Sequence, residues 1–67
     1  MTDEGNFLVY CAEIYKDNKG ITGKELTELF NKYKIWDFLY ECYGALHTNG
    51  ELYIINDIDE FIKVRSL

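Results

Sequence analysis

The chain has 67 residues, 48% of them hydrophobic and 16% aromatic, and twelve acidic residues against seven basic ones give a formal net charge of −5. This length predicts a single domain over residues 1–67, and the aromatic content is atypical of disordered chains. The negative charge opposes binding to nucleic acid or to anionic membranes and favours a partner with a basic surface. We therefore expect a folded domain with no membrane partner.

The N-terminal residues and the two cysteines predict a cytoplasmic location. Residues 1–5 are polar, so we expect them to be frayed, and no basic segment followed by an apolar run marks a secretion signal. No apolar run is long enough to span a membrane. Cys11 and Cys42 are therefore expected as free thiols in a reducing cytoplasm.

Two helices are predicted before residue 34. Apolar residues recur at helical spacing over 6–18, with Asn6 as candidate N-cap and Gly20 as candidate left-handed residue after the helix. Thr22 followed by Glu25 three residues later has the spacing of a capping box, which begins a second amphipathic helix.

A third helix is predicted from about Asp37 to Ala45, and its composition is unusual. Its apolar residues cover roughly 200° of the helical wheel, about twice what a surface helix needs. Either this helix is central, or it presents spare aromatic surface. Trp36, Phe38 and Tyr40 are the candidates for an exposed partner-binding surface, since interfaces favour large aromatic side chains, and a fully packed core is the alternative.

The segment after this helix has two interpretations. Asn49-Gly50 is typical of a hairpin turn, and the β-branched and aromatic run Leu52–Ile55 then suits a short strand. The alternative is a helix C-cap followed by an extended linker. His47 is a structural imidazole bonded to a backbone carbonyl or carboxylate, or else a partner contact or pH-sensitive joint.

A last helix is predicted from Asp57, with Glu60 at the third position of a second capping box. The expected fold class is therefore mainly α: a compact four-helix domain with room for a short β-hairpin or two-stranded ribbon near 45–55. Four basic residues either gather into a small basic patch or are separate solvated charges. They are Lys32, Lys34, Lys63 and Arg65.

No stretch indicates catalysis, a cofactor or a metal. Cys11, Cys42 and His47 are the only soft ligands and are scattered, and the segment Asp17–Glu25 lacks the ligand spacing of a calcium loop. Helix capping accounts for the acidic residues near Asp57. We expect no enzyme, because no acid, base and nucleophile converge in so short a chain.

Several stretches together resemble a known family. These are Phe7–Cys11, Gly20–Leu26, Leu46–Gly50, Tyr53–Ile54 and Asp57–Phe61. The combination resembles a family of small bacterial proteins of unknown function, mostly from Firmicutes. The resemblance implies an antitoxin-like or accessory role, since such genes often lie beside one for an ADP-ribosyltransferase-like protein. It implies no catalytic residues.

The sequence is compatible with two functions of different classes. The first is a small acidic module that binds another protein, or a second copy of itself, through the third helix. The alternative is a nucleic-acid-binding regulator of winged-helix type, with a strand at Ile21 and a wing at Asn49-Gly50. Against this alternative, its reading helix would carry Asp37 and Glu41 and no basic residue.

Overall fold

The computed structural model describes residues 3–66, which form five helices. They are α1 (Asp3–Lys19), α2 (Gly23–Lys32), α3 (Ile35–Glu41), α4 (Tyr43–Leu46) and α5 (Glu51–Arg65). The expected mainly α class is confirmed. Residues 3–66 contain no β-strand, so the hairpin or ribbon near 45–55 is not found, and the helices number five rather than four. None of these helices is long and apolar enough to cross a membrane.

Helix α1 begins earlier than its sequence pattern predicts. Its first turn contains Asp3 and Glu4, whose carboxylates suit the positive end of a helix dipole. Asn6 therefore lies inside the helix, and its prediction as N-cap is wrong. Residues 3–5 of the segment expected to fray are helical, and residues 1–2 lie outside the described part. Gly20 follows the helix with a φ of +65°, as predicted.

Helix α2 begins with the predicted capping box. The Glu25 backbone N–H donates to Thr22 Oγ1 at 3.1 Å, and the Thr22 backbone N–H donates to Glu25 Oε1 at 2.9 Å. Two backbone donors that the helix leaves without a partner are thereby satisfied. Leu26 and Phe30 carry the buried face of the helix into the core.

The predicted third helix is two short helices. Lys34 takes the left-handed conformation, with φ 56° and ψ 42°, and α3 begins after it at Ile35, before the predicted Asp37. A break at Cys42 separates α3 from α4. Ile35 and Leu39 have no exposed surface, so α3 is the central helix that its wide apolar face indicates.

Helix α5 replaces both the predicted strand and the predicted helix start. Leu52–Ile55 is helical, and Asp57 lies inside a helix that begins at Glu51, so both predictions are wrong. Gly50 has a φ of −75° and forms no hairpin turn. The physical reason is burial: the β-branched run continues a helical stripe of isoleucines and one phenylalanine that packs on the core. That stripe is Ile54, Ile55, Ile58, Phe61 and Ile62.

The interior is apolar throughout the described chain. No polar or charged residue of 3–66 is buried, and the core consists of twelve apolar side chains. They are Phe7, Cys11, Ala12, Tyr15, Leu26, Phe30, Ile35, Leu39, Leu46, Ile54, Ile55 and Ile58. At the edge of this core, Asp59 of α5 accepts a hydrogen bond from the Tyr15 hydroxyl and pairs with Lys19, each at 2.7 Å. This network holds α5 against α1.

We predict that Lys34→Gly stabilises the fold. A side chain in the left-handed region costs about 1–2 kcal/mol, and glycine occupies that region freely. Glycine also loses more entropy on folding, so the net gain in the free energy of unfolding should be about 0.5–1 kcal/mol. Urea denaturation followed by circular dichroism measures this gain.

The matched control is Glu28→Gly, an exposed position inside α2. There glycine should lower the free energy of unfolding by about 1 kcal/mol. If both glycine substitutions destabilise equally, Lys34 does not adopt the left-handed conformation.

Candidate functional site

An open groove lies between α3 and α5. It has a volume of about 700 Å³, which is within the range of binding sites in proteins. Its lining residues are Phe38, Asp57, Glu60, Phe61, Val64 and Arg65. Five of these six belong to α5, so the groove follows one side of that helix, and Phe38 is the contribution of α3.

Two stacked rings line the groove. Phe38 and Phe61 are nearly parallel, with an interplanar angle of 25° and ring centroids 4.2 Å apart. The guanidinium carbon of Arg65 lies 4.3 Å from the Phe61 centroid, within cation–π distance. Val64 is 65% exposed beside these rings. The groove therefore offers apolar surface that no other part of the described chain covers.

The charged residues of the groove are segregated along α5. Asp57 and Glu60 precede Phe61 in the helix, whereas Arg65 follows it by one turn. The salt bridges found within residues 3–66 join other groups, so these three charges have no ion-pair partner there. One end of the groove is therefore acidic and the other is basic.

A second depression continues the basic end. It is lined by Lys32, Tyr33, Lys34 and Arg65, and the Lys32 ammonium lies 5.3 Å from the Tyr33 ring centroid. Three of the four cations considered as a basic patch are therefore neighbours, while Lys63 does not line this depression. Within the described chain, none of the three forms a salt bridge.

The structure does not bring the four predicted partner-binding residues into one surface. Phe38 contacts Phe61 in the groove, but Trp36 packs edge-on against Phe30 of α2, with centroids 4.9 Å apart. Tyr40 is 57% exposed and lies four residues after Trp36, on the side of α3 opposite Phe38. Of the aromatic candidates, only Phe38 lines the groove.

His47 lies away from the groove, at the end of α4. Its ring stacks on Tyr43 with centroids 4.4 Å apart, and its Nδ1 is 2.7 Å from the Tyr43 carbonyl oxygen. Tyr43 in turn packs edge-on against Phe7 of α1. These contacts fit the structural interpretation of His47, in which the imidazole bonds to a backbone carbonyl.

Cys11 and Tyr15, whose pKa values are raised, are both buried in the core. Cys11 has no exposed surface, and burial raises the pKa of its thiol from 9.0 to about 12, which disfavours the reactive thiolate. Burial, and then the Asp59 hydrogen bond, raise the pKa of Tyr15. No three His, Cys, Asp or Glu side chains within 3–66 are placed to hold a metal.

Sequence reasoning misses the α5 side of the groove. The sequence does not single out Val64, and it does not indicate that Phe61 meets Phe38, because that contact depends on how α5 packs against the rest of the chain. One signal was present: Asp57, Phe61 and Arg65 are spaced four apart, which places them along one side of a helix. Asp59, predicted as a helix-end charge, instead joins α5 to α1.

The fold and the groove define a small helical domain with a segregated charge pattern along one open side. A model of a family described as a protein of unknown function (DUF3791) matches residues 6–65, so the chain belongs to this family. Searches among curated proteins and among solved structures found no match. The family description assigns no activity and no site residue.

We predict that alkaline pH destabilises the fold through Cys11. The thiol of the unfolded chain ionises near pH 9.0, whereas the folded chain retains the proton up to about pH 12. Between these values the unfolded state binds fewer protons, so stability falls as pH rises. From pH 8 to pH 10 the loss should be about 1.4 kcal/mol, as measured by urea denaturation under reducing conditions.

Cys11→Ala is the control for this pH dependence. It lowers stability at every pH by leaving a small cavity, but it should remove most of the decline between pH 8 and pH 10. Parallel pH profiles for the two proteins would show that the Cys11 thiol is not buried.

Proposed function

We propose that this chain is a protein–protein interaction module whose groove between α3 and α5 receives a segment of another protein chain. The observation that carries the proposal is the exposed Val64 beside the Phe38–Phe61 stack, bordered by charges without ion-pair partners. Interfaces combine an apolar centre with a polar rim, which is the arrangement of this groove. Catalytic activity is not part of the proposal.

The energetics of the groove favour recognition of a protein surface. Apolar area removed from water contributes about 25 cal/mol per Å², so covering Val64 and the exposed ring edges would stabilise a complex. The charges at the two ends of the groove contribute less affinity, but they select the partner and its direction. The partner-binding surface predicted on the third helix is therefore retained only at Phe38, and α5 supplies the rest.

The biological setting of the module follows from the resemblance to the bacterial family. An antitoxin-like or accessory role in the cytoplasm would pair this chain with the product of a neighbouring gene. The ADP-ribosyltransferase-like protein is therefore the first candidate partner outside the chain itself. The resemblance, through the gene order that it implies, is what supports this role, while the groove supports binding in general.

The winged-helix alternative loses its structural basis. The residues predicted to form the wing strand, Leu52–Ile55, belong to α5, and Ile21 lies in a turn between α1 and α2. Helix α3, the predicted reading helix, has Asp37 and Glu41 exposed and no basic residue. Phosphate groups would be repelled from it.

A photocrosslinker at position 64 tests the proposal. Val64 is replaced by p-benzoyl-L-phenylalanine, and the chain is produced and irradiated in its native host. We expect a crosslinked adduct with protein, because a bound segment would lie against position 64. Denaturing electrophoresis and mass spectrometry detect the adduct and identify the crosslinked chain.

The matched control carries the same crosslinker at Glu28, an exposed position on α2 and outside the groove. It should give no such adduct, and Phe38→Ala should weaken the adduct formed at position 64. Equal crosslinking at both positions, or none at position 64, would contradict the proposal.

A further inference from the structure

We infer that the occupant of the groove is a second copy of this chain, with the two α5 helices antiparallel and Phe61 near the two-fold axis. The inference rests on the proposed function and specifies the partner. It follows from the order of three side chains along one side of α5: Asp57, Phe61 and Arg65.

The spacing of these residues is symmetric about Phe61. Asp57 lies four residues before it and Arg65 four residues after it, so the Cα atom of each is about 6 Å from that of Phe61 along the helix axis. A two-fold axis at Phe61 exchanges the two ends of the helix. Asp57 of each copy then faces Arg65 of the other, which forms the same ion pair twice.

The charged residues around Asp57, Phe61 and Arg65 are also complementary between two copies related by this two-fold axis. Glu60 lies at the acidic end beside Asp57, whereas Lys32 and Lys34 lie at the basic end beside Arg65. The acidic end of one copy therefore meets a cluster of cations on the other. The exposed Val64 and the Phe38–Phe61 stack lie between the two ends and provide the apolar centre of the interface.

A uniformly basic partner fits the groove less well than a second copy does. Such a surface would pair with Asp57 and Glu60, but it would place like charges against Arg65 and its lysine neighbours. Like charges held together in an interface oppose binding. A surface with a reversed order of charges is required, and this chain itself presents one.

The net charge of −5 on each copy opposes association at long range, whereas the proposed ion pairs favour it at contact. At physiological salt, exposed charges more than about 8 Å apart are largely screened, whereas pairs in contact are screened less. The groove covers only part of one helix, so the dimer should be at the weak end of specific interfaces. Added salt should weaken it further.

Charge reversal tests the inference. D57R places arginine against arginine in the two-fold pair, and R65D places aspartate against aspartate. Each variant alone should raise the dimer dissociation constant at least tenfold, and an equimolar mixture of the two should recover wild-type affinity within about threefold. Sedimentation equilibrium over about 10 µM to 1 mM chain measures these constants, and circular dichroism verifies the fold.

D57R separates the specific pairs from the effect of net charge. It changes the net charge from −5 to −3, since aspartate to arginine adds two charges, so reduced repulsion alone would strengthen association. The control Glu28→Arg makes the same charge change outside the groove and should bind at least as tightly as wild type. Equal behaviour of D57R and Glu28→Arg would overturn the inference.

Two further results keep the test decisive. The double variant D57R/R65D exchanges the charges within one chain and should dimerise like wild type, even if either single variant folds poorly. A wild-type chain that remains monomeric at 1 mM overturns the inference without any variant. A photocrosslinked adduct of position 64 with a different protein would then leave the proposed function standing and assign the groove to that partner.

Discussion

The stacking of Phe38 on Phe61 is the contact on which the groove depends. It joins α3, in the middle of the fold, to α5, which the chain reaches only after α4 and the segment 47–50. A helix as short as α3 is not stable by itself, because the cost of starting a helix is recovered only over more residues. The burial of Ile35 and Leu39 holds α3 in place, and Phe38 then joins α3 to α5, whose main packing is against α1.

A chain of this length cannot cover all of its apolar residues. A domain of about 60 residues buries only about 60% of the surface of its unfolded chain, so some large side chains remain exposed. Most of the exposed large side chains of residues 3–66, including Tyr40 and Leu52, do not line the groove between α3 and α5, which is ordinary for a protein surface. Val64 differs because it borders stacked rings and charged residues together. Its position, more than its exposure, marks the candidate site.

Local signals in the sequence predict the fold better than they predict the site. The capping box at Thr22 and the left-handed Gly20 were predictable because their causes lie within a few neighbouring residues. The helical conformation of Leu52–Ile55 was not predictable, because a short β-branched run fits either a strand or a buried helix. Only the packing of the run against the core decides between the two conformations. The pairing of Phe38 with Phe61 depends on how α5 docks. The sequence shows Phe38 as a candidate but not its partner.

A double-mutant cycle on Phe38 and Phe61 is the most direct test of this account. Phe38→Leu, Phe61→Leu and the double variant are unfolded in urea, and the coupling free energy is obtained from the four free energies of unfolding. If the two rings are in contact, the double variant should lose about 1 kcal/mol less stability than the sum of the two single losses. Effects that add within about 0.3 kcal/mol would show that the two rings are not in contact, and that α5 does not dock on α3 as described.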